Sequence, residues 1–356
     1  MLQFKVIKYF SALVSVVVIF SSLYVGGVWV YFSLFYSFAL IPFLELFLQG
    51  DTSNFSKLEE EVLKKDIKFD ILIWLIVPLQ WSLVALFLYK VSTQTLPAWE
   101  LVGYIFALGI SCGVFGINVA HELGHRNTWY EQLMSKMLLL SSQYMHFFIE
   151  HNRGHHKNVS TNDDPASSKR NEMVYFFWFR SVFAGYLSAW HIENERVKKT
   201  EKTVLHWKNE MVWYTIIQLA LLIGIWLLFS WQIMLYYLAA AVIGILLLET
   251  VNYIEHYGLR RKKIDGAYYE KVMPAHSWNS NHPLGRILLF ELSRHSDHHY
   301  MASRKYQILR HFDESPQMPT GYPGMMVLSM FPPLWFYIMH KKIDEYKKTN
   351  EGIVLE

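Results

Sequence analysis

Residues 98–125 read AWELVGYIFALGISCGVFGINVAHELGH, an apolar segment that runs without a break into a pair of histidines. The part up to residue 119 carries one charged side chain, Glu100, and is long enough to cross a bilayer as a helix. His121 and His125 are spaced i, i+4, so their rings share one face of a helix. Because imidazole is a common metal ligand, the stretch predicts a metal-binding pair at the mouth of a membrane span.

Other long apolar segments predict further spans. The chain is 53% apolar and 17% aromatic, with only 18% charged residues. We therefore predict an all-α integral membrane protein with six transmembrane helices, forming a single membrane-embedded domain over residues 1–356. A secretory signal peptide is the alternative for the first span, since Lys5 and Lys8 precede it, but apolar sequence continues into a second span. The predicted spans are residues 8–25, 28–48, 69–89, 98–119, 211–230 and 232–254.

The distribution of basic residues predicts the orientation. Six spans place residues 49–68, 120–210 and 255–356 on one side of the membrane, and these segments hold nearly all Lys and Arg. The opposite connections carry none apart from Lys90 at a boundary. Segments rich in Lys and Arg stay in the cytoplasm, so we predict that the parts 120–210 and 255–356 are cytoplasmic. A net charge of +3 is too small to predict a nucleic-acid partner.

Three more histidine clusters lie on the same predicted side as His121 and His125. The spacing within two of them lets three rings converge from one helix or helix end. Seven other histidines lack a partner at ligand spacing, and we expect surface or core roles for them: His146, His191, His206, His276, His282, His311 and His340. The clustered residues are His151, His155 and His156, then His256, then His295, His298 and His299.

Nine clustered histidines favour two metal ions over one. The pattern His121-Glu-Leu-Gly-His125 is also that of zinc proteases, but a catalytic zinc needs only three protein ligands. Imidazole ligands suit iron, copper or zinc, so the donor type leaves the element open. The single cysteine, Cys112, excludes a disulfide framework and a cysteine-held iron–sulfur cluster. Any electrons must therefore come from another molecule.

Polar residues beside the clusters are candidates to support the ligands. A carboxylate next to a ligating histidine can accept the second ring N–H and fix the tautomer. Ionisable groups deep in a span also tend to face a functional interior. Surface ion pairing is the alternative role for the acids. The candidates are Glu122, Glu150, Glu249, Asn252, Glu255 and Asp297.

With these motifs the chain resembles the membrane-bound alkane 1-monooxygenases, within a wider class that includes fatty-acid desaturases and xylene monooxygenases. The resemblance covers roughly residues 115–340, and the segment 252–258 is its most specific part. Its motifs are His121-Glu-Leu-Gly-His125, Glu150-His-Asn-Arg-Gly-His-His156, Asn252-Tyr-Ile-Glu-His-Tyr-Gly258 and Arg294-His-Ser-Asp-His-His299.

The resemblance implies that the nine clustered histidines hold two non-haem irons and that O2 is the cosubstrate. The implied reaction is terminal hydroxylation of medium- or long-chain alkanes to primary alcohols in a bacterial inner membrane. The resemblance also implies that a separate rubredoxin supplies the electrons and that an NAD(P)H-dependent reductase reduces this rubredoxin. The basic runs 196–202 and 260–263 are candidates to dock an acidic carrier.

Several alternatives and one further expectation remain. The substrate can instead be a fatty acyl chain or an alkylaromatic methyl group, and desaturation is a weaker option. A non-catalytic metal sensor is the rival from another class of protein. Small and aromatic residues of the spans are candidates to shape the substrate path, namely Trp74, Trp81, Gly109 and Gly113.

Overall fold

The computed structural model describes residues 5–201, 203–264, 268–349 and 354–355. Lys202 of the predicted basic run lies outside the described residues, as do residues 265–267, 350–353 and 356 of the predicted cytoplasmic part 255–356. Within the described residues, six helices are long and apolar enough to cross a membrane, which confirms the predicted fold class. They are Ile7–Val25, Gly27–Glu45, Ile67–Thr93, Ala98–Gly124, Glu210–Leu228 and Trp231–His256, called here the first to sixth spans.

The helical spans differ in length from the apolar segments that predicted them. The third span covers Ile67–Thr93 rather than 69–89, and the fourth continues to Gly124 rather than ending at residue 119. Apolarity marks only the part of a helix in hydrocarbon, whereas backbone hydrogen bonding continues through the polar ends. The fourth span therefore carries His121 inside a helix. It consists of helix Ala98–Ser111, π-helix Cys112–Ile117 and helix Asn118–Gly124.

Helices outside the spans, up to 25 residues long, form a cap on the end of the bundle that carries the histidines. Two small antiparallel sheets are the exception to the all-helical expectation: Leu259–Arg260 pairs with Val354–Leu355, and Lys263–Ile264 pairs with Tyr268–Tyr269. The other helices are Lys57–Lys65, Trp129–Ser141, Phe147–Ile149, Glu150–His155, His156–Asn158, Val174–Lys198, Pro274–His276, Pro283–Leu288, His295–Tyr300, Tyr306–Ile308, Tyr322–Ser329 and Pro332–Thr349.

The fourth and sixth spans pack closely because glycines face the partner helix. A Cβ atom on Gly244 would lie 2.5 Å from Cβ of Cys112, and one on Gly109 would lie 2.6 Å from Cβ of Ile243. Small residues allow membrane helices to approach in this way. The contact brings the ends of the two spans together, so that His121 and His256 reach the same cap.

Candidate metal centre

Four segments of the cap side supply the nine clustered histidines. Helix Asn118–Gly124 and the residue after it carry the first pair, and the sixth span ends on His256. The π-helix Glu150–His155 and the next helix carry the second cluster, while helix His295–Tyr300 carries the last. The structure brings all nine rings together in two neighbouring groups.

The five-histidine group contains His121, His125, His151, His156 and His298. The Nε2 atoms face one another, with separations of 2.9 Å for His121 and His298 and 3.1 Å for His125 and His151. His156 lies 3.0 Å from both His151 and His298 by the same atoms. The side chains of His125 and His156 are partly exposed, so this group lies nearer to solvent.

The four-histidine group contains His155, His256, His295 and His299, all of them buried. Nε2 of His299 lies 3.1 Å from Nε2 of His155 and 2.9 Å from Nε2 of His295. His256 completes the group, with its Nε2 atom 3.2 Å from that of His295. The group is therefore built from three separate segments of the chain.

The π-helix explains why neighbouring histidines enter different groups. A π-helix closes its hydrogen bonds from residue i to i+5, so its turn is wider than an α-helical turn and side chains five apart lie nearer to one face than they do on an α-helix. His151 and His156 accordingly share a face, with ring centroids 4.6 Å apart, while His155 points to the other group. The three rings of this cluster thus converge on two points rather than on one.

The donor set fits two metal ions. Metal–imidazole bonds are about 2.0–2.1 Å long, so adjacent ligands of one ion lie about 3 Å apart, as the Nε2 atoms do here. Burial, followed by the charges of His155 and Arg126, lowers the pKa of His125 to about 3. Burial and neighbouring histidines also hold the pKa values of His151, His156, His298 and His299 well below the usual range. Neutral rings keep the lone pair that a metal requires.

Asp164 holds one ring of the four-histidine group in place. Its carboxylate oxygens lie 2.9 and 3.1 Å from Nδ1 of His155, and it also accepts a hydrogen bond from the Ser167 hydroxyl. Burial alone would lower the pKa of His155, but the charge and hydrogen bond of Asp164, together with the charges of Glu150 and Glu249, outweigh burial and raise that pKa. Sequence reasoning did not single out Asp164 for this role, because eight residues separate it from His155 and the last five of them are irregular chain. The pair Asp163-Asp164 before Pro165 was the only available signal.

Among the predicted supporting residues, Glu255 lies closest to the ligands. Its Oε2 atom is 3.1 Å from Nε2 of His295, on the side of the ring that faces the four-histidine group. Glu249 accepts a hydrogen bond from the Tyr144 hydroxyl at 2.7 Å, and Asn252 donates to the same carboxylate. Within the described part of the chain, neither of these two residues is hydrogen-bonded to a histidine ring.

The other predicted acids have different partners. Glu122 pairs with Arg126 at 2.6 Å, and Asp297 pairs with Arg304 at 2.8 Å. Residues one apart on a helix project in different directions, so an acid beside a ligand need not face it. Glu150 is buried, and burial together with the charge of Asp164 raises its pKa to about 8.

None of the seven lone histidines joins either group in the described part of the chain. His146 packs edge-on against Tyr144 and Tyr186. His276 lies 3.2 Å from Glu270, and His311 lies 3.1 Å from Asp313.

A large apolar cavity adjoins the centre. Its wall includes Ser15 and Ile19 of the first span and Asn118 of the fourth. Gly113, a predicted path residue, lines it, whereas Gly109 instead packs against Ile243. Trp74 donates a hydrogen bond to Glu131. Neither Trp74 nor Trp81 is among the described residues that line this cavity.

Six spans and paired histidine groups define a membrane protein of the histidine-cluster class. A family model described as fatty acid desaturase matches residues 97–340. Alkane 1-monooxygenase 2 of Pseudomonas aeruginosa is 40% identical over 88% of this chain and 84% of the relative. Alkane 1-monooxygenase of Acinetobacter baylyi is 38% identical over 87% of this chain and 76% of the relative.

A more distant relative is the xylene/toluene monooxygenase hydroxylase component of Pseudomonas putida, 27% identical over 89% of this chain and 83% of that protein. The chain therefore belongs to the fatty acid desaturase family and, within it, to the alkane 1-monooxygenases. Membership makes the chain an oxidoreductase and confirms the family that the histidine motifs predicted.

Proposed function

We propose that the chain uses O2 to hydroxylate the terminal carbon of medium- or long-chain alkanes. One oxygen atom enters the primary alcohol and the other leaves as water, with two electrons and two protons consumed. The observation that carries the proposal is the apolar cavity beside the two histidine groups. An alkane offers a protein no charge or hydrogen bond, so only an apolar cavity of this kind can hold it beside the metal-binding side chains.

The nine clustered histidines are proposed to hold two irons, one in each group. Bound iron supplies the O2 activation, because an alkane C–H bond offers side chains no acid, base or leaving group. The neutral rings present their Nε2 lone pairs to the two sites. Asp164 keeps the His155 ring in the tautomer that leaves Nε2 free, and Glu255 lies beside the ligand atom of His295.

The bilayer is proposed to deliver the substrate. Burying each CH2 group is worth about 0.8 kcal/mol, so alkyl chains concentrate in the membrane. The cavity lies among the first, second, fourth and sixth spans, within reach of the lipid. The xylene/toluene monooxygenase relative supports a second substrate class, the methyl group of an alkylaromatic. A fatty acyl chain is a further candidate of the same apolar type.

Electrons are proposed to come from a separate rubredoxin with an NAD(P)H-dependent reductase. The metal side is proposed to face the cytoplasm of an inner membrane, since it holds nearly all Lys and Arg. Of the basic run 260–263, Arg260 is buried and Lys262 and Lys263 are exposed, which leaves the two lysines for an acidic partner. In the other run, Arg196 pairs with Glu193 and Lys198 pairs with Glu195.

Iron-loaded protein in lipid vesicles, supplied with O2, NADH, reductase and rubredoxin, tests the proposal. We expect a primary alcohol from a linear alkane and two irons per chain by elemental analysis. A preparation that holds a single zinc contradicts the metal assignment. Iron-loaded protein that yields no alcohol from an alkane, a fatty acid or an alkylbenzene contradicts the reaction.

A further inference from the structure

The large apolar cavity meets the metal centre at a narrow wall. Two smaller cavities lie against the ligands, one beside His121 and His295 and the other beside His121 and His298. Asn118 and Leu292 line the large cavity and both small ones. Leu248 and Val251 line the large cavity and the small one beside His295. These four residues are called the throat here, and they separate the large apolar cavity from the histidines.

An unusual backbone conformation next to Leu292 fixes the position of this throat residue. Phe290 and Glu291, just before Leu292, have φ angles of 52° and 60°, a left-handed conformation that residues with a Cβ rarely adopt. Such a conformation persists only where surrounding contacts determine it, and it clusters at functional sites.

Those contacts are present around Glu291. Its buried carboxylate lies 2.7 Å from Nε of Arg286, accepts a hydrogen bond from the Tyr9 hydroxyl at 2.6 Å and pairs with Lys8 at 3.2 Å.

The opposite wall is tied to the same segment. Asn118 follows the π-helix of the fourth span and lies one turn before His121. Its amide donates a hydrogen bond to the carbonyl oxygen of Leu289 at 3.2 Å, and the same carbonyl accepts the N–H of Leu292 at 3.2 Å. One direct hydrogen bond, from Asn118 to Leu289, therefore ties the two sides of the throat together.

We propose that this throat determines regioselectivity, admitting only the unbranched end of a chain to the metal side. The inference rests on the proposed alkane hydroxylation. A secondary C–H bond is weaker than a terminal one, so an oxidant with free access attacks the interior of a chain. Selection of the end must come from shape. A throat lined by Leu292, Val251 and Leu248 leaves the internal methylenes in the large cavity, away from the histidines.

Widening the throat tests this role. In Leu292→Ala and Val251→Ala, we expect the ratio of 2-alkanol to 1-alkanol from octane to rise about tenfold, the scale on which apolar pockets discriminate small differences in shape. Leu288→Ala is the matched control. Leu288→Ala removes the same side-chain atoms as Leu292→Ala, but from the wall of the large cavity. Among the described residues, Leu288 lines neither small cavity. Its alcohol ratio should stay within about twofold of the starting enzyme.

The outcomes separate this inference from the proposed function. If the unaltered enzyme makes 1-octanol and the two throat variants keep its product ratio, the throat does not select the chain end. If the unaltered enzyme makes no alcohol, the proposed function itself fails. Iron content is measured for every variant, so that loss of folding is recognised.

A substrate change tests the same inference without any variant. The unaltered enzyme is given 2-methyloctane, and we expect the alcohol at the unbranched end in at least about tenfold excess over that at the branched end. Equal oxidation of both ends overturns the inference even if both throat variants fail to fold.

Discussion

Asp164 and His155 form a buried pair in which a carboxylate oxygen lies 2.9 Å from Nδ1 of the imidazole. Removing an outer partner of a ligating histidine typically costs 10- to 100-fold in metal affinity, about the loss we expect for Asp164→Ala. Competition with a chelator, followed by iron analysis, measures the loss. The exposed neighbour provides the control, since Asp163→Ala should bind iron as before. Equal affinities for both variants would show that the pair does not support the centre.

The ion cluster at Glu291 predicts a large effect on stability. Glu291→Ala removes the carboxylate that lies 2.7 Å from Nε of buried Arg286 and leaves that guanidinium with Asp51 at 3.4 Å. Breaking a buried ion pair by removing one member typically costs about 3–5 kcal/mol. Thermal unfolding in detergent should therefore shift to a clearly lower temperature. Glu195 forms an exposed pair with Lys198, which solvent screens, so Glu195→Ala should leave the unfolding temperature nearly unchanged. Similar unfolding temperatures for the two variants would contradict the account.

The same carboxylate predicts a pH dependence of stability. Burial alone would raise the pKa of Glu291, but Arg286 and Lys8 outweigh it and lower the pKa to about 2. A depressed pKa in the folded state means that the stabilisation is complete above the ordinary value of 4.5 and is lost as the pH falls through about 2. The gap in unfolding temperature between the unaltered protein and Glu291→Gln should thus narrow as pH falls from 4.5 toward 2. A constant gap would argue against the ion pairs.

The cavity wall predicts a change in substrate length. Ser15 lines the large cavity but neither small one, so it lies away from the histidines. Ser15→Phe fills that end, and we expect the ratio of kcat/KM for dodecane over that for hexane to fall about tenfold. Val14 is the adjacent residue and is 48% exposed on the outer face of the span, so Val14→Phe should leave the ratio unchanged. A lower ratio in both variants would point to disruption of the helix instead.

Cysteine labelling can determine the proposed orientation of the chain in the membrane. Cys112 is fully buried and should give little background. Ser303 is exposed on the metal side, and Thr95 is exposed between the third and fourth spans. In intact cells an impermeant maleimide should label Thr95→Cys, whereas Ser303→Cys should react only after the membrane is opened. The reverse result would place the metal side outside the cytoplasm.

The sequence predicted the spans and the family well, because apolar length and histidine spacing are local properties. It could not predict how His151, His155 and His156 divide between two groups, since a π-helix leaves no clear mark in composition. Nor could it predict Asp164, which reaches His155 through an irregular turn. Glu122 shows the converse: it adjoins His121 in the chain yet points to Arg126.

Two segments each contribute rings to both histidine groups: residues 151–156 give two to one group and one to the other, and residues 295–299 do the reverse. An ion bound in either group fixes the backbone of these two segments, and the same segments position ligands of the other group. Occupancy of the two sites is therefore thermodynamically linked, and each ion raises the affinity for its neighbour by the same factor. The centre should consequently fill and empty cooperatively, with little half-loaded protein at intermediate iron concentrations.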